Sequence, residues 1–226
     1  MEEPRESQPR REPLLTPARR LGDLRVEPVG RKELRTALGR AALEVAGELG
    51  YSGLTVERIL ARGGTSRDVF YRAYASAEDC YLAGYEATAS RMVEGLLDRC
   101  RSAPDWVAGV RVALDAFAEA IVTAPMLANG LILPTRSADD AAHSDHRDAF
   151  VRLATALDGG REVTPDGLTP PPSAAEFLIA SIESAAGRAL GRRKPEEFAE
   201  RVPDLIYLVV ATYLGIDAAR AAIESE

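Results

Sequence analysis

Thr65, Ser66, Arg67, Tyr71 and Arg72 fall within one short run, T-V-E-R-I-L-A-R-G-G-T-S-R-D-V-F-Y-R-A-Y, at residues 55–74. Hydroxyls, guanidinium forks and a phenol gathered on one helical face are groups that bond phosphate oxygens and base edges in a major groove. An arginine near the start of such a helix can offer two donors to guanine O6 and N7, while tyrosine hydroxyls suit phosphates. The chemistry implied is recognition of duplex DNA, with no covalent step.

The surrounding residues mark the helices that must position these groups. Thr55 suits an N-cap, and Val56, Ile59 and Leu60 recur as one buried face of a short helix. Gly64 can turn the chain through a left-handed conformation. Thr65 and Asp68 stand at capping-box spacing, so a second helix is expected there with Val69 and Phe70 inward, and Ser76 with Asp79 opens another. Upstream, Leu34, Leu38, Ala41, Val45 and Leu49 step along one face of a helix closed by Gly50, leaving Arg31, Lys32, Arg35 and Arg40 toward solvent. The result is a three-helix head over about 31–49, 55–62 and 66–73, with the order of a helix-turn-helix.

The head resembles the DNA-binding domain of the tetracycline-repressor (TetR) family of transcriptional regulators. The matching residues are Gly50-Tyr51, the Gly53-Leu54-Thr55-Val56 run, Ile59, Gly64, Ser66, Phe70-Tyr71-Arg72, Tyr74, Ser76 and Glu78, within residues 31 to 85. Thr65, Asp68, Ala73 and Ala77 depart from the family pattern, and Ala77 replaces a lysine that often reaches a phosphate. The DNA-contact set is Thr55, Thr65, Ser66, Arg67, Val69, Tyr71, Arg72 and Tyr74, with Val69 counted here although the periodicity turns it inward.

Net charge is −7 overall, but residues 1–75 carry 14 Lys and Arg against 11 Asp and Glu, a net of +3, and the remainder carries −10. The basic part is the part that resembles a DNA reader. There is no apolar run long enough to span a membrane and no apolar segment near the start for a signal peptide, so a cytoplasmic protein without membrane contact is expected. Cys80 and Cys100 fall on one expected helix about 30 Å apart and cannot pair within the chain. Residues 1–30 are rich in Pro and Arg and read as a flexible extension; Arg10, Arg11, Arg19, Arg20 and Arg25 could follow a minor groove, but acidic residues are interspersed.

Beyond Ser76 the pattern is helical nearly throughout, making the fold class all-α: the helix-turn-helix domain at 31–75, then a helical effector-binding and dimerisation domain at 76–226. Helices are expected at about 76–100, from after Ala103-Pro104 to about 123, and at about 125–133, 138–158, 174–190 and 203–214, with a short one after Gly215 and a Pro-rich loop at 159–173. The last two long helices, with Phe177, Leu178 and Ile182 on one and Leu205, Ile206, Leu208, Val209, Val210, Tyr213 and Leu214 on the other, suit a homodimer interface or a buried monomer core. The resemblance favours the former, since family members pair such helices between subunits, and two heads double the footprint on a near-palindromic operator.

The resemblance also implies a cavity for a small effector. The candidate lining is Tyr85, Met92, Trp106, Phe117, Met126, Leu131, Phe150 and Phe177, with Tyr81 and Leu127 beside them, and an apolar guest would suit it. His143 and His146, among Asp139, Asp140, Asp145 and Asp148, have a spacing that a metal site would use, but the stretch also reads as a solvated helix end, and no metal or cofactor is assigned. No nucleophile elbow, phosphate loop or H-E-x-x-H is present, so no enzymatic activity is expected. The function expected is a ligand-responsive regulator, a repressor released from its operator by an apolar effector. The alternative is a helical small-molecule carrier that has lost DNA recognition.

Overall fold

The computed structural model describes residues 14–15, 30–132 and 140–224, with side chains of 140–145 excepted. The described residues form helices and turns without a strand. The head comprises α1 (Arg31–Leu49), α2 (Val56–Gly63) and α3 (Arg67–Tyr71); the body comprises α4 (Ala77–Arg101), α5 (Trp106–Thr123), α6 (Pro125–Ile132), α7 (Asp140–Asp158), α8 (Ala174–Gly191), α9 (Glu196–Ala199), α10 (Val202–Leu214) and α11 (Ile216–Glu224).

Side-chain caps set the helix starts. Thr55 accepts from the Arg58 N–H at 3.3 Å, Ser76 from Asp79 at 3.0 Å, and Asp105 from Ala108 at 2.8 Å. At α3 the cap is Ser66, which accepts from Val69, one residue later than the Thr65–Asp68 box suggests. The reason lies in the preceding turn. Gly64 sits in the left-handed region (φ 64°, ψ 41°), and the N–H groups of Gly64 and Thr65 both close on the Leu60 carbonyl, so Thr65 finishes α2 and Ser66 is the first residue free to cap.

Leu38, Ala41 and Ala42 of α1 bury in one cluster with Ile59 and Phe70, making the head core. Glycine pairs then bring α1 against the body. A Cβ on Gly39 would lie 2.7 Å from the Gly84 Cα of α4, while one on Gly130 of α6 would run into the Leu43 carbonyl and one on Gly47 into that of Met126. The α1 backbone therefore rides directly on α4 and α6. Tyr81 adds a bond from its hydroxyl to the Gly130 carbonyl at 3.2 Å.

In the body, Phe117 meets Phe198 edge-on at 5.4 Å and Trp106 meets Tyr213 at 5.1 Å. The Pro-rich loop is tied rather than loose: Arg161 pairs with Asp158 and donates to the carbonyls of Pro170 and Pro171 at 2.9 and 2.6 Å. Leu14 and Leu15 correct the reading of a wholly flexible extension, because Leu15 is buried in the core and Leu14 abuts Gly95 of α4. The four-residue α9 escapes periodicity because so short a helix repeats no face; buried Phe198 anchors it. Among the described residues no helix is long and apolar enough to cross a membrane.

Candidate nucleic-acid interface and effector cavity

The outer surface of α3 carries Ser66, Arg67, Asp68, Tyr71 and Arg72, all exposed. The Arg67 guanidinium is paired with Glu57 of α2, and both side chains are more than half exposed. Such a surface pair contributes about 0–1 kcal/mol, so exchanging Glu57 for a base edge costs little. The Arg67 partner also holds the Glu57 carboxyl below its usual range, although the backbone N–H bond is the larger cause. Thr55 and Ser66 use oxygen lone pairs to cap α2 and α3; the Ser66 O–H proton is left for a phosphate, whereas that of Thr55 is directed at the Glu57 carboxylate. Thr65 and Val69 are half-buried beside them.

Tyr74 requires correction as a DNA contact. It is buried, its hydroxyl donates to the Arg35 carbonyl at 3.0 Å, and the Arg35 guanidinium lies 4.2 Å above its ring. Burial pushes its phenol pKa up to about 12. Tyr74 lies just past the end of α3 and four residues after buried Phe70, whose carbonyl accepts its N–H at 3.0 Å, so it falls on the inward side beside the Phe70 ring. Arg35 itself donates to the Ala73 carbonyl and holds the end of α3 on α1. Arg40, expected toward solvent, is half-buried, and its pKa is lowered chiefly by burial and further by Arg91.

A cavity of about 170 Å³ opens in the body between α4, α5, α6, α7, α8 and α10. Five of the candidate lining residues meet there: Tyr85, Met92, Trp106, Phe117 and Leu131. Met126, Phe150 and Phe177 do not. Met126 is turned outward near Arg62, Phe150 packs against the core beside the cavity, and Phe177 is 69% exposed on the outer face of α8. Periodicity marks an apolar position without telling which of several apolar surfaces it meets.

The lining residues that composition does not single out include Val93, Leu96, Leu114, Leu153 and Ile182. Two more are polar. His146 Nδ1 lies 3.3 Å from the Tyr85 hydroxyl, and its Nε2 lies 3.6 Å from the Glu183 carboxylate. The bond to Glu183 raises the His146 pKa against the opposing effect of burial. His146 is thereby engaged within the cavity wall; Asp139 and the side chains of Asp140, His143 and Asp145 lie outside the described residues.

The cavity is long. Tyr85 and Cys100 on α4 are about 22 Å apart along the helix, and α7 runs beside it in the same direction, with His146 at Tyr85 and the residues after Leu157 at Trp106. Its polar end adjoins Leu131 and Ile132 of α6, the helix whose Gly130 meets α1. A contiguous ring series also leaves that end toward the head: Tyr85 to Tyr81 at 6.0 Å, then Tyr81 to Tyr51 at 5.3 Å, with the Tyr51 hydroxyl on Glu78.

No family model matches the sequence, and no curated protein matches it. Solved structures share the fold. The fatty acid degradation regulator FadR from Bacillus halodurans superposes with a TM-score of 0.68 at 15% identity, covering 78% of this chain and 94% of its own. FadR from Bacillus subtilis, in complex with stearoyl-CoA, gives 0.65 at 15% identity, covering 77% and 97%. A TetR family transcription regulator from Marinobacter aquaeolei VT8 gives 0.62 at 17% identity, covering 79% and 95%. The chain therefore has the all-α fold of these regulators, an N-terminal helix-turn-helix followed by a helical domain.

Proposed function

We propose that this protein is a TetR-family transcriptional regulator, a homodimeric repressor that binds a near-palindromic DNA operator through residues 31–75 and leaves it when a small apolar effector fills the cavity of residues 76–226. The observation that carries this reading is the exposed face of α3, where Arg67, Tyr71 and Arg72 project from a helix seated by buried Phe70. Arg67 is assigned to base edges, and Thr55, Ser66, Tyr71 and Arg72 to phosphates. A protein of this fold in complex with stearoyl-CoA supports an acyl or similar apolar guest.

Coupling follows from the packing. An occupant that moves α4 or α6 must move α1, because Gly39, Gly47, Gly84 and Gly130 leave no side chains to absorb the displacement. For the dimer, exposed Phe177, Ala180, Ser181 and Ser184 form one face of α8, and Leu208 is exposed on α10. An aromatic side chain left in water beside small residues is the composition of a helix-pairing surface.

Selection from randomised duplexes, followed by gel shift at moderate salt, tests the reading. A discrete, two-fold symmetric site with affinity that falls steeply with salt is expected. The carrier alternative draws on Asp68 at the reading face and Ala77 at the start of α4; it is the conclusion if no sequence is enriched while the cavity still takes ligand.

A further inference from the structure

The polar end of the cavity holds one ion pair, His146 with Glu183, whose carboxylate keeps acceptor capacity beyond that single partner. Among the described residues the lining includes one carboxylate, Glu183, and neither Lys nor Arg. Arg147 and Arg152 lie exposed on α7 and Arg188 on α8, outside the lining. The ion-pair partner of Glu183 among the described residues is His146, at 3.6 Å, beyond a good hydrogen bond. An ionised carboxylate has about four acceptor sites, so most remain for a guest.

His146 cannot readily serve an anion instead. Its Nδ1 is engaged by Tyr85, itself buried, while Nε2 faces Glu183; turning the ring to meet a ligand carboxylate would forfeit both contacts. An anionic head would also lie against Glu183 with no further cation among the described residues of the wall. A wholly apolar head would cover the partly exposed carboxylate without replacing the water it loses. An ammonium supplies three donors and the opposite charge.

We propose that the cavity selects a single-headed amphiphile, an elongated apolar body ending in a primary amine, with the ammonium seated on Glu183 and the apolar body extending toward Trp106 and Leu157. His146 and Tyr85 are positioning residues that hold the carboxylate at the end of the cavity beside α6. This rests on the reading of the cavity as the effector site, and it narrows that reading to one class of guest.

Trp106 is the only tryptophan in the chain and lines the cavity, so its emission reports occupancy directly. The full-length protein is titrated at neutral pH with decylamine, decanol, decanoate and decanoyl-coenzyme A, each below its micellar concentration. Decylamine is expected to bind roughly ten-fold more tightly than decanol and more tightly still than decanoate or the thioester. Glu183→Gln should remove the advantage of the amine over decanol. Decanoate or decanoyl-coenzyme A binding more tightly than decylamine overturns the proposal, as does an amine advantage that survives Glu183→Gln. Decanol binding with no preference for the amine overturns the head-group assignment and leaves the effector cavity standing. If decanol itself leaves Trp106 emission unchanged, the cavity reading falls and takes the head-group assignment with it.

Discussion

Side chains on the reading face of the head come from a few consecutive residues, Ser66 to Arg72, and most stand in water. Those around the cavity come from six of the described helices between residues 85 and 209, and most are half-buried or buried. The first surface is organised by local rules: a cap, a glycine turn and one inward Phe70 decide which way five neighbours point. The second is a remainder, the space left when large helices pack imperfectly around Leu114, Phe117 and Val209. A substitution on the first should change binding and leave the fold intact, whereas one beside the second should register as stability as well.

The sharpest contrast lies between two adjacent residues of α10. Val209 is 1% exposed and borders the cavity, while Leu208 is 51% exposed. Val209→Asp should destabilise the fold by several kcal/mol, because a carboxylate replaces a buried methyl pair. Leu208→Asp should leave the monomer fold intact and convert the proposed dimer to monomers in sedimentation, with a much smaller fall in melting temperature. Equal melting temperatures for the two variants would erase the distinction between core and interface on this helix.

Next in size is Gly130→Ala, which forces a methyl against the Leu43 carbonyl where α6 meets α1. A loss of roughly 1–3 kcal/mol in urea unfolding is expected. Unchanged stability would show that the glycine contact is loose and that α6 does not hold the head.

On the reading face the effects concern DNA alone. Arg67→Ala should weaken operator binding by about 1–3 kcal/mol and broaden the selected sequence, while unfolding stays within about 0.5 kcal/mol of wild type, since only an exposed pair with Glu57 is lost. Tyr71→Phe should weaken all sequences alike. An unchanged consensus after Arg67→Ala would move base reading to another residue.

The smallest effect is the pH dependence of His146. Its pKa is raised, chiefly by the bond to Glu183, so its contribution to stability is fully present below the ordinary histidine value of 6.5 and is lost as pH rises through the raised one. Between about pH 6 and pH 9 the melting temperature of the wild type should fall by up to a few degrees relative to His146→Gln. Parallel curves would show that the His146–Glu183 pair contributes nothing measurable.

Much of the head was legible because its signals are short-range. Gly64, Ser76 and the spacing of Leu38, Ala41 and Val45 each act within a few residues, and α1, α2 and α4 fall where those signals place them, while α3 is capped by Ser66 instead of Thr65 and ends at Tyr71 instead of 73. Tyr74 was misread for a reason just as specific: residue type suggested a phosphate contact, but four positions after buried Phe70, past the end of α3, it lies inward on Arg35. Around the cavity, Tyr85, Met92, Trp106, Phe117 and Leu131 were legible as apolar or aromatic positions, while His146 and Glu183 were not associated at all. They are 37 residues apart on different helices, and only the packing of α7 on α8 brings them together.

By itself the sequence determined the periodicity of each long helix, the caps that begin them and the turn that sets α3 at an angle to α2, because those depend on backbone bonds and neighbours within one or two helical turns. Tertiary structure alone decided which apolar residues became core, cavity wall or exposed stripe. Met126, Phe150 and Phe177 look alike in the chain and differ only in what lies across from them, a property of helices folded together from distant segments.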